Sequence, residues 1–179
     1  MKRTVFFSLI LGIFCTAISC SDTKKNSEES AVGEDSLRVT AGKYVNEKFG
    51  FSISYPSEIL SPDTSVASDS GQVFKSADGM ADLKVWIDPR ITIVEGEAIN
   101  LKALYEKDTA YKSGYDNNYQ VFKTTSYTIS GVRGGQIIYY QKTIISNGHV
   151  VTGLLRYQGN APDKKTYDAM IEPLFKSFK

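Results

Sequence analysis

The stretch Gln136-Ile137-Ile138-Tyr139-Tyr140-Gln141-Lys142-Thr143-Ile144-Ile145-Ser146-Asn147-Gly148-His149-Val150-Val151-Thr152-Gly153-Leu154-Leu155-Arg156-Tyr157-Gln158 decides the fold. Two apolar runs flank Asn147-Gly148, a dipeptide that tolerates positive φ at both central positions of a tight turn. That tolerance is what a type I′ hairpin requires. The register sets Ile145 opposite Val150, Ile144 opposite Val151, Tyr140 opposite Leu155 and Ile138 opposite Tyr157. Side chains alternate along a strand. One face therefore collects Ile138, Tyr140, Ile144, Val151, Leu155 and Tyr157, and the other Ile137, Tyr139, Ile145, Val150 and Leu154. A sheet that is apolar on both faces needs cover on both.

Helical segments on either side in the sequence supply it. After Ala161-Pro162-Asp163, the residues Tyr167, Met170, Ile171, Leu174 and Phe178 recur at helical spacing. Pro173 lacks an N–H and crowds the preceding turn, so it is expected to kink or split that helix. Upstream, Gly96 to Lys112 reads as a second helix. It groups Leu101, Leu104, Tyr105 and Tyr111 and leaves Glu97, Lys102, Glu106 and Lys107 in water, and Ser113-Gly114 stops it. The expected fold class is α+β, an antiparallel sheet flanked by helices on both faces.

Shorter strands fill in the rest. Phe49, Phe51, Ile53 and Tyr55 alternate with Gly50, Ser52 and Ser54 up to Pro56, the pattern of a half-buried strand. Ser57 to Gly71 reads as a polar loop with room for one helical turn. Gln72 to Ser76 and Asp82 to Ile87 are strands joined at Asp78-Gly79. Leu83, Val85 and Ile87 share one face and Trp86 takes the other. Gln120 to Ile129 reads as a strand, with a turn at Ser130-Gly131.

The N-terminus looks like a bacterial lipoprotein signal peptide: Lys2-Arg3, an apolar run from Val5 to Ile18, then Ala17-Ile18-Ser19-Cys20. The run is too short for a membrane span, which takes roughly 20 apolar residues. Cys15 follows the bulky Phe14, whereas Cys20 follows Ser19, so Cys20 is the candidate lipidation site. The resemblance implies cleavage before Cys20 and its acylation; the alternative is an ordinary secretory signal cut nearby. Ser21 to Arg38 is polar and charged, too poor in apolar groups to offset its ordering entropy. It reads as a tether with an r.m.s. reach of roughly 25 Å. The expected organisation is residues 1–19 leader, 20–40 lipidated cysteine and disordered tether, and 41–179 one globular domain.

Charge and cysteine usage narrow the function classes. The chain has 21 Lys and Arg against 20 Asp and Glu. Loss of Lys2 and Arg3 with the leader leaves it near neutral, with no electrostatic case for nucleic acid. Of two cysteines, Cys15 leaves with the leader and Cys20 takes lipid. No disulfide or cysteine metal site remains. A domain near 150 residues holds itself by burial, covering roughly 68–70% of its unfolded surface.

The order of landmarks resembles the PsbP-like domain family. The carriers are Tyr44-Val45-Asn46-Glu47-Lys48-Phe49-Gly50-Phe51-Ser52-Ile53-Ser54-Tyr55-Pro56, then Ser130-Gly131-Val132-Arg133-Gly134-Gly135 before the long hairpin, and the closing Phe175-Lys176-Ser177-Phe178-Lys179. The resemblance runs from Tyr44 to Lys179. It implies an α/β/α sandwich and a non-catalytic role, binding or steadying a larger partner. Metal binding proposed for some members uses histidines and does not carry over to a chain with one histidine.

The residues themselves offer little chemistry. His149 lacks companion Cys or carboxylate ligands and reads as a surface turn residue. No Gly-x-Ser-x-Gly elbow is present. Asp63-Thr64-Ser65-Val66-Ala67-Ser68-Asp69-Ser70-Gly71 lacks the spacing and closing Glu of an EF-hand loop. Gly131-Val132-Arg133-Gly134-Gly135 lacks the Lys-Ser/Thr of a P-loop. No catalytic residue, metal site or cofactor is expected, although dispersed carboxylates escape any reading of sequence.

Eleven tyrosines are the one odd enrichment. They suit half-buried sandwich edges, the ring packed and the hydroxyl wet. They also suit a contact surface, and Gly114-Tyr115-Asp116-Asn117-Asn118-Tyr119 has the composition of an adaptable binding loop. Tyr115, Asp116, Asn117, Asn118 and Tyr119 are the candidate binding residues.

The expected function is that of an exported, lipid-anchored accessory or binding protein of the cell envelope, with the membrane and an envelope protein complex as partners. By resemblance to enterobacterial lipoprotein sorting, Ser21 rather than Asp after the cysteine slightly favours the outer membrane. The alternative is a binder of a small ligand or glycan in a tyrosine-lined cleft; an envelope hydrolase ranks third.

Overall fold

Asn147 and Gly148 both take positive φ, 46° and 75°, as a type I′ turn demands. The computed structural model describes residues 40–66, 68–88, 100–110 and 114–179. The leader, Cys20, the tether before Thr40, and Tyr111 of the expected helix lie outside these residues. The described residues all fall in one unit, Leu37–Lys179.

The turn joins β8 (Ile137–Ser146) to β9 (His149–Gln158) in the register read from the sequence, Ile144 opposite Val151 and Tyr140 opposite Leu155. Around this hairpin lie β3 (Leu60–Pro62), β4 (Gly71–Ser76), β5 (Ala81–Ile87), β6 (Tyr115–Lys123) and β7 (Ser126–Arg133). Among the described residues these make a seven-stranded antiparallel sheet, ordered β3-β4-β5-β9-β8-β7-β6. β1 (Ala41–Asn46) and β2 (Phe51–Pro56) pair separately as a two-stranded sheet. With α1 (Leu101–Thr109) and α2 (Lys164–Ser177), the class is α+β.

Neighbouring residues of β9 enter different clusters. Val151, Leu155 and Tyr157 pack with Leu83, Val85, Phe51, Ile53 and the α2 residues Tyr167, Met170, Leu174 and Phe175. Val150 packs with Tyr127, Ile129, Tyr139 and the α1 residues Leu101 and Leu104. Each fully buried large apolar side chain contributes roughly 1.5–3 kcal/mol, so the first cluster dominates stability.

α1 starts where Asn100 caps it, its side chain accepting the Ala103 N–H at 3.0 Å. α2 carries Pro173 inside one continuous helix, against the expectation of a split. Ala169 and Pro173 both lie on the exposed face, so the hydrogen bond that Pro173 cannot give to the Ala169 carbonyl is lost on the solvent side of the helix.

Three further expectations are corrected. β1 and β3 were not foreseen; β1 alternates only weakly, and β3 is three residues long. The segment Gln120–Ile129 is a hairpin turning at Thr124-Thr125, because β-rich residues continue through a short polar turn. Ser130-Gly131 lies inside β7, and the turn comes at Gly134–Gln136. Gly131 is there for close approach: a Cβ would sit 1.8 Å from the Asp116 carbonyl oxygen.

The segment after α2 returns to β2. Ser52 and Lys179 exchange backbone hydrogen bonds at 2.7 and 3.1 Å. The Ser54 N–H donates to Ser177 Oγ at 2.9 Å, and that hydroxyl donates to Leu174 O at 2.7 Å. Phe178, only 3% exposed, is fixed between these contacts.

Candidate functional site

β6 divides the five candidate residues between the two faces of the sheet. The segment expected as a loop is an edge strand, paired along its length with β7. Its composition is polar, but the partner strand supplies the ladder that its propensities alone do not secure. Tyr115 stands opposite Arg133 and Asn117 opposite Gly131. A bulge then sets Tyr119 opposite Ser130, adding one residue on β6. The extra residue, Asn118, shifts the alternation. Phe122, beyond the bulge, stacks on Tyr105 of α1 at 5.2 Å between ring centroids. Tyr119 instead lines the α2 side with Tyr140, Lys142 and Phe175. Asp116 and Asn118 are exposed, and only Tyr115 and Asn117 enter a shared cleft.

That cleft, about 280 Å³, lies over the part of the sheet beyond the end of α1. Its floor follows a row of directly opposed residues: Asn117 on β6, Gly131 on β7, Tyr139 on β8 and Arg156 on β9, with Trp86 reaching it from β5. Tyr115, Arg133 and Ile137 border one side; Ile129, Gln141 and Leu154 border the other, with Trp86 and Asp108 further along. Gly131 offers no side chain, and the Tyr139 hydroxyl spans the gap to donate to Asn117 Oδ1. Burial holds the Tyr139 phenol above its usual range, aided by Tyr115 and Asp116, so the donor stays protonated. The Tyr115 ring meets Tyr139 edge-on at 5.9 Å and carries the Arg133 guanidinium 5.1 Å from its centroid. Arg156 donates Nε and an Nη to Asp82 Oδ1, at 3.1 and 2.7 Å.

Below α1 runs a polar seam that no sequence pattern announced. Buried Asp108 accepts the Tyr127 hydroxyl at 2.6 Å and Gln141 Nε2 at 2.9 Å. Gln141 also reaches Thr143 Oγ1 at 3.3 Å, Thr143 and Thr152 share a hydrogen bond at 3.0 Å, and Thr152 Oγ1 donates to buried Asp88 at 3.4 Å. The one sign available beforehand was the period-2 placing of Gln141, Thr143 and Thr152 among apolar neighbours.

Several tyrosines serve the core. Tyr127, Tyr157 and Tyr167 are buried, each donating to an aspartate: Asp108 at 2.6 Å, Asp168 at 2.5 Å and Asp78 at 2.8 Å. His149 stands opposite Ser146 at the turn, its ring edge-on to Phe49 at 5.1 Å. Among the described residues no group of three His, Cys, Asp or Glu is placed to hold a metal ion, and no helix is long and apolar enough to cross a membrane.

No protein-family model matches the chain, and no curated protein matches it. Among solved structures, it is similar to the solution structure of cyanobacterial PsbP (CyanoP) from Synechocystis sp. PCC 6803. The two are 14% identical, with 86% of this chain and 99% of that chain covered, at a TM-score of 0.48.

Proposed function

We propose that this chain is a membrane-anchored, non-catalytic binding lipoprotein of the bacterial cell envelope that docks on an envelope protein complex. The observation that carries the docking is the outer edge of β6. Among the described residues β6 pairs on one side only. An unpaired edge is a template for another chain, and Tyr119 and Phe122 beside it are 50% and 38% exposed. The anchor is Cys20, the leader ends at residue 19, and the tether runs over 20–40. A tether raises the local concentration near membrane partners, so modest affinity suffices. The outer membrane is the favoured location.

The fold reading that accompanies this is the PsbP-like α/β/α sandwich, helical cover on both faces. Its support is the division of Val150 and Val151 between the clusters that hold α1 and α2. Further support is the meeting of the opening and closing motifs at Ser54 and Ser177. The non-catalytic reading draws on how reactive groups are employed: His149 packs on Phe49, and Asp78, Asp108 and Asp168 hold buried tyrosines.

A photo-crosslinking residue at position 119 in intact cells tests the docking. It is expected to capture a partner protein, and Cys20→Ala is expected to abolish both that capture and fatty-acid labelling. Labelling unchanged in Cys20→Ala removes the anchor; no capture at 119 removes the docking edge.

The second reading, a small ligand or glycan, is favoured by the cleft. β7, β8 and β9 each pair on both sides, so its floor recognises by side chain alone, through aromatic faces beside polar heads.

A further inference from the structure

We propose that the cleft between Tyr115 and Trp86 binds an acidic oligosaccharide, a sugar chain whose carboxylate is held by Arg133. The inference rests on the second reading above and names its ligand class.

The shape of the cleft sets the first constraint. Its floor crosses the sheet from β6 to β5, four inter-strand spacings, roughly 19 Å. That length suits a linear ligand. A peptide laid along it has no main chain to pair with, because the ladders of β7, β8 and β9 are complete on both sides. Recognition must come from side chains.

Their chemistry sets the second. Aromatic rings stand at both ends, Tyr115 with Tyr139 at one and Trp86 at the other. Gln141 and Arg156 lie between them, the Arg156 charge already matched by Asp82. A sugar chain presents the complement: flat C–H faces that pack on aromatic rings, and hydroxyls at the edges for polar heads.

Charge sets the third. Arg133 is exposed at the cleft rim and has no carboxylate partner among the described residues. Its guanidinium is held over the Tyr115 ring at 5.1 Å. Stacking a guanidinium on a ring leaves its edge, with the N–H fork, free for a planar anion. A carboxylate matches that fork with two parallel hydrogen bonds, while the ring beneath keeps the fork in place. Arg156 cannot do the same, since Asp82 occupies its Nε and one Nη.

The test uses the full chain in detergent against an array of uronic-acid-bearing and sialylated oligosaccharides, each with its methyl-esterified, neutral counterpart. Calorimetry follows on the best binder and its ester. The acid is expected to bind at least tenfold more tightly than the ester. Arg133→Gln is expected to lose that preference while binding the ester unchanged, and Arg133→Lys to recover part of it. Lys176→Ala, on α2, is expected to bind as the parent does. Equal binding of acid and ester, or a preference that survives Arg133→Gln, overturns the carboxylate assignment and leaves a glycan cleft. Binding to no array member overturns the inference and the second reading together. Capture of a protein through position 119 is independent of all these outcomes, so the docking proposal stands or falls separately.

Discussion

Tyr139 donates its phenolic hydrogen to Asn117 across the gap that Gly131 leaves between them. Three strands are thereby tied at one point, and the floor of the cleft is fixed by a contact that no single segment encodes. Gly131→Ala is expected to be severely destabilising, because the new Cβ lies 1.8 Å from backbone that has nowhere to go. Tyr139→Phe is expected to cost about 1 kcal/mol, the net value of a hydrogen bond. Urea unfolding of both variants checks the order; equal costs would mean that β6 gives way at its bulge.

The turn at Asn147-Gly148 permits a cleaner measurement. Nothing lies within 4 Å of a Cβ placed on Gly148, so its φ of 75° is the sole obstacle to a side chain. Gly148→Ala is expected to cost about 1–2 kcal/mol, the left-handed penalty of an L-residue. Asn147→Gly keeps the positive φ available but strips the side chain that lies against Gly50, and is expected to cost less than Gly148→Ala, about 0.5–1 kcal/mol. Thermal unfolding of the two variants separates turn conformation from packing.

Thr143 and Thr152 are both fully buried and share one hydrogen bond at 3.0 Å. Replacing either with Val takes one of the partner hydroxyl's two hydrogen bonds, leaving Thr152 on Asp88 or Thr143 on Gln141, and is expected to cost roughly 0.5–1.5 kcal/mol. The double replacement is expected to cost less than the two singles added, with a coupling of about 0.5–3 kcal/mol. A double-mutant cycle by denaturant unfolding measures it. Strict additivity would show that the seam is held by Asp88 and Gln141 instead.

Acid and alkali should act at different places. The Lys75 ammonium, with the Ser65 hydroxyl and amide, lowers Asp63 to about 2. A depressed carboxylate contributes stability above its unfolded pKa, and that contribution is lost as pH falls from about 4 towards 2. Asp63→Asn should flatten that part of the profile. Tyr157 runs the other way. Burial, then its bond to Asp168, raises its phenol above the usual value of 10. Its contribution is complete below pH 10 and is lost as pH rises from there. Unfolding midpoints against pH, with Tyr157→Phe as the second comparison, test both limbs.

The long hairpin was legible because two independent signals agreed: Asn147-Gly148 fixed the turn, and both alternating apolar sets required that register. α2 was legible from Tyr167, Met170 and Leu174 for the same reason. The β6–β7 hairpin was harder to see. Tyr115 to Tyr119 has a loop's composition and becomes a strand through pairing with β7, a long-range cause that local propensity does not carry. The bulge at Asn118 then separated Tyr119 from Tyr115, which no count of residues foretells. Within the site, Tyr115 and Asn117 were found by composition. Trp86, Arg133, Gln141 and Arg156 were missed, because four strands bring them together and β5 lies far in sequence from β7, β8 and β9. Asp108 was missed because on α1 it looks like any wet helical carboxylate.

The bond between Ser54 and Ser177 joins positions 123 residues apart. At ribosomal speeds of roughly 5–20 residues per second, Ser177 is made about 6–25 s after Ser54. For that interval the edge of β2 that Ser177 and Lys179 later close lacks those partners. Until the closing residues arrive, the Ser52 and Ser54 backbone groups on that edge must be satisfied by water.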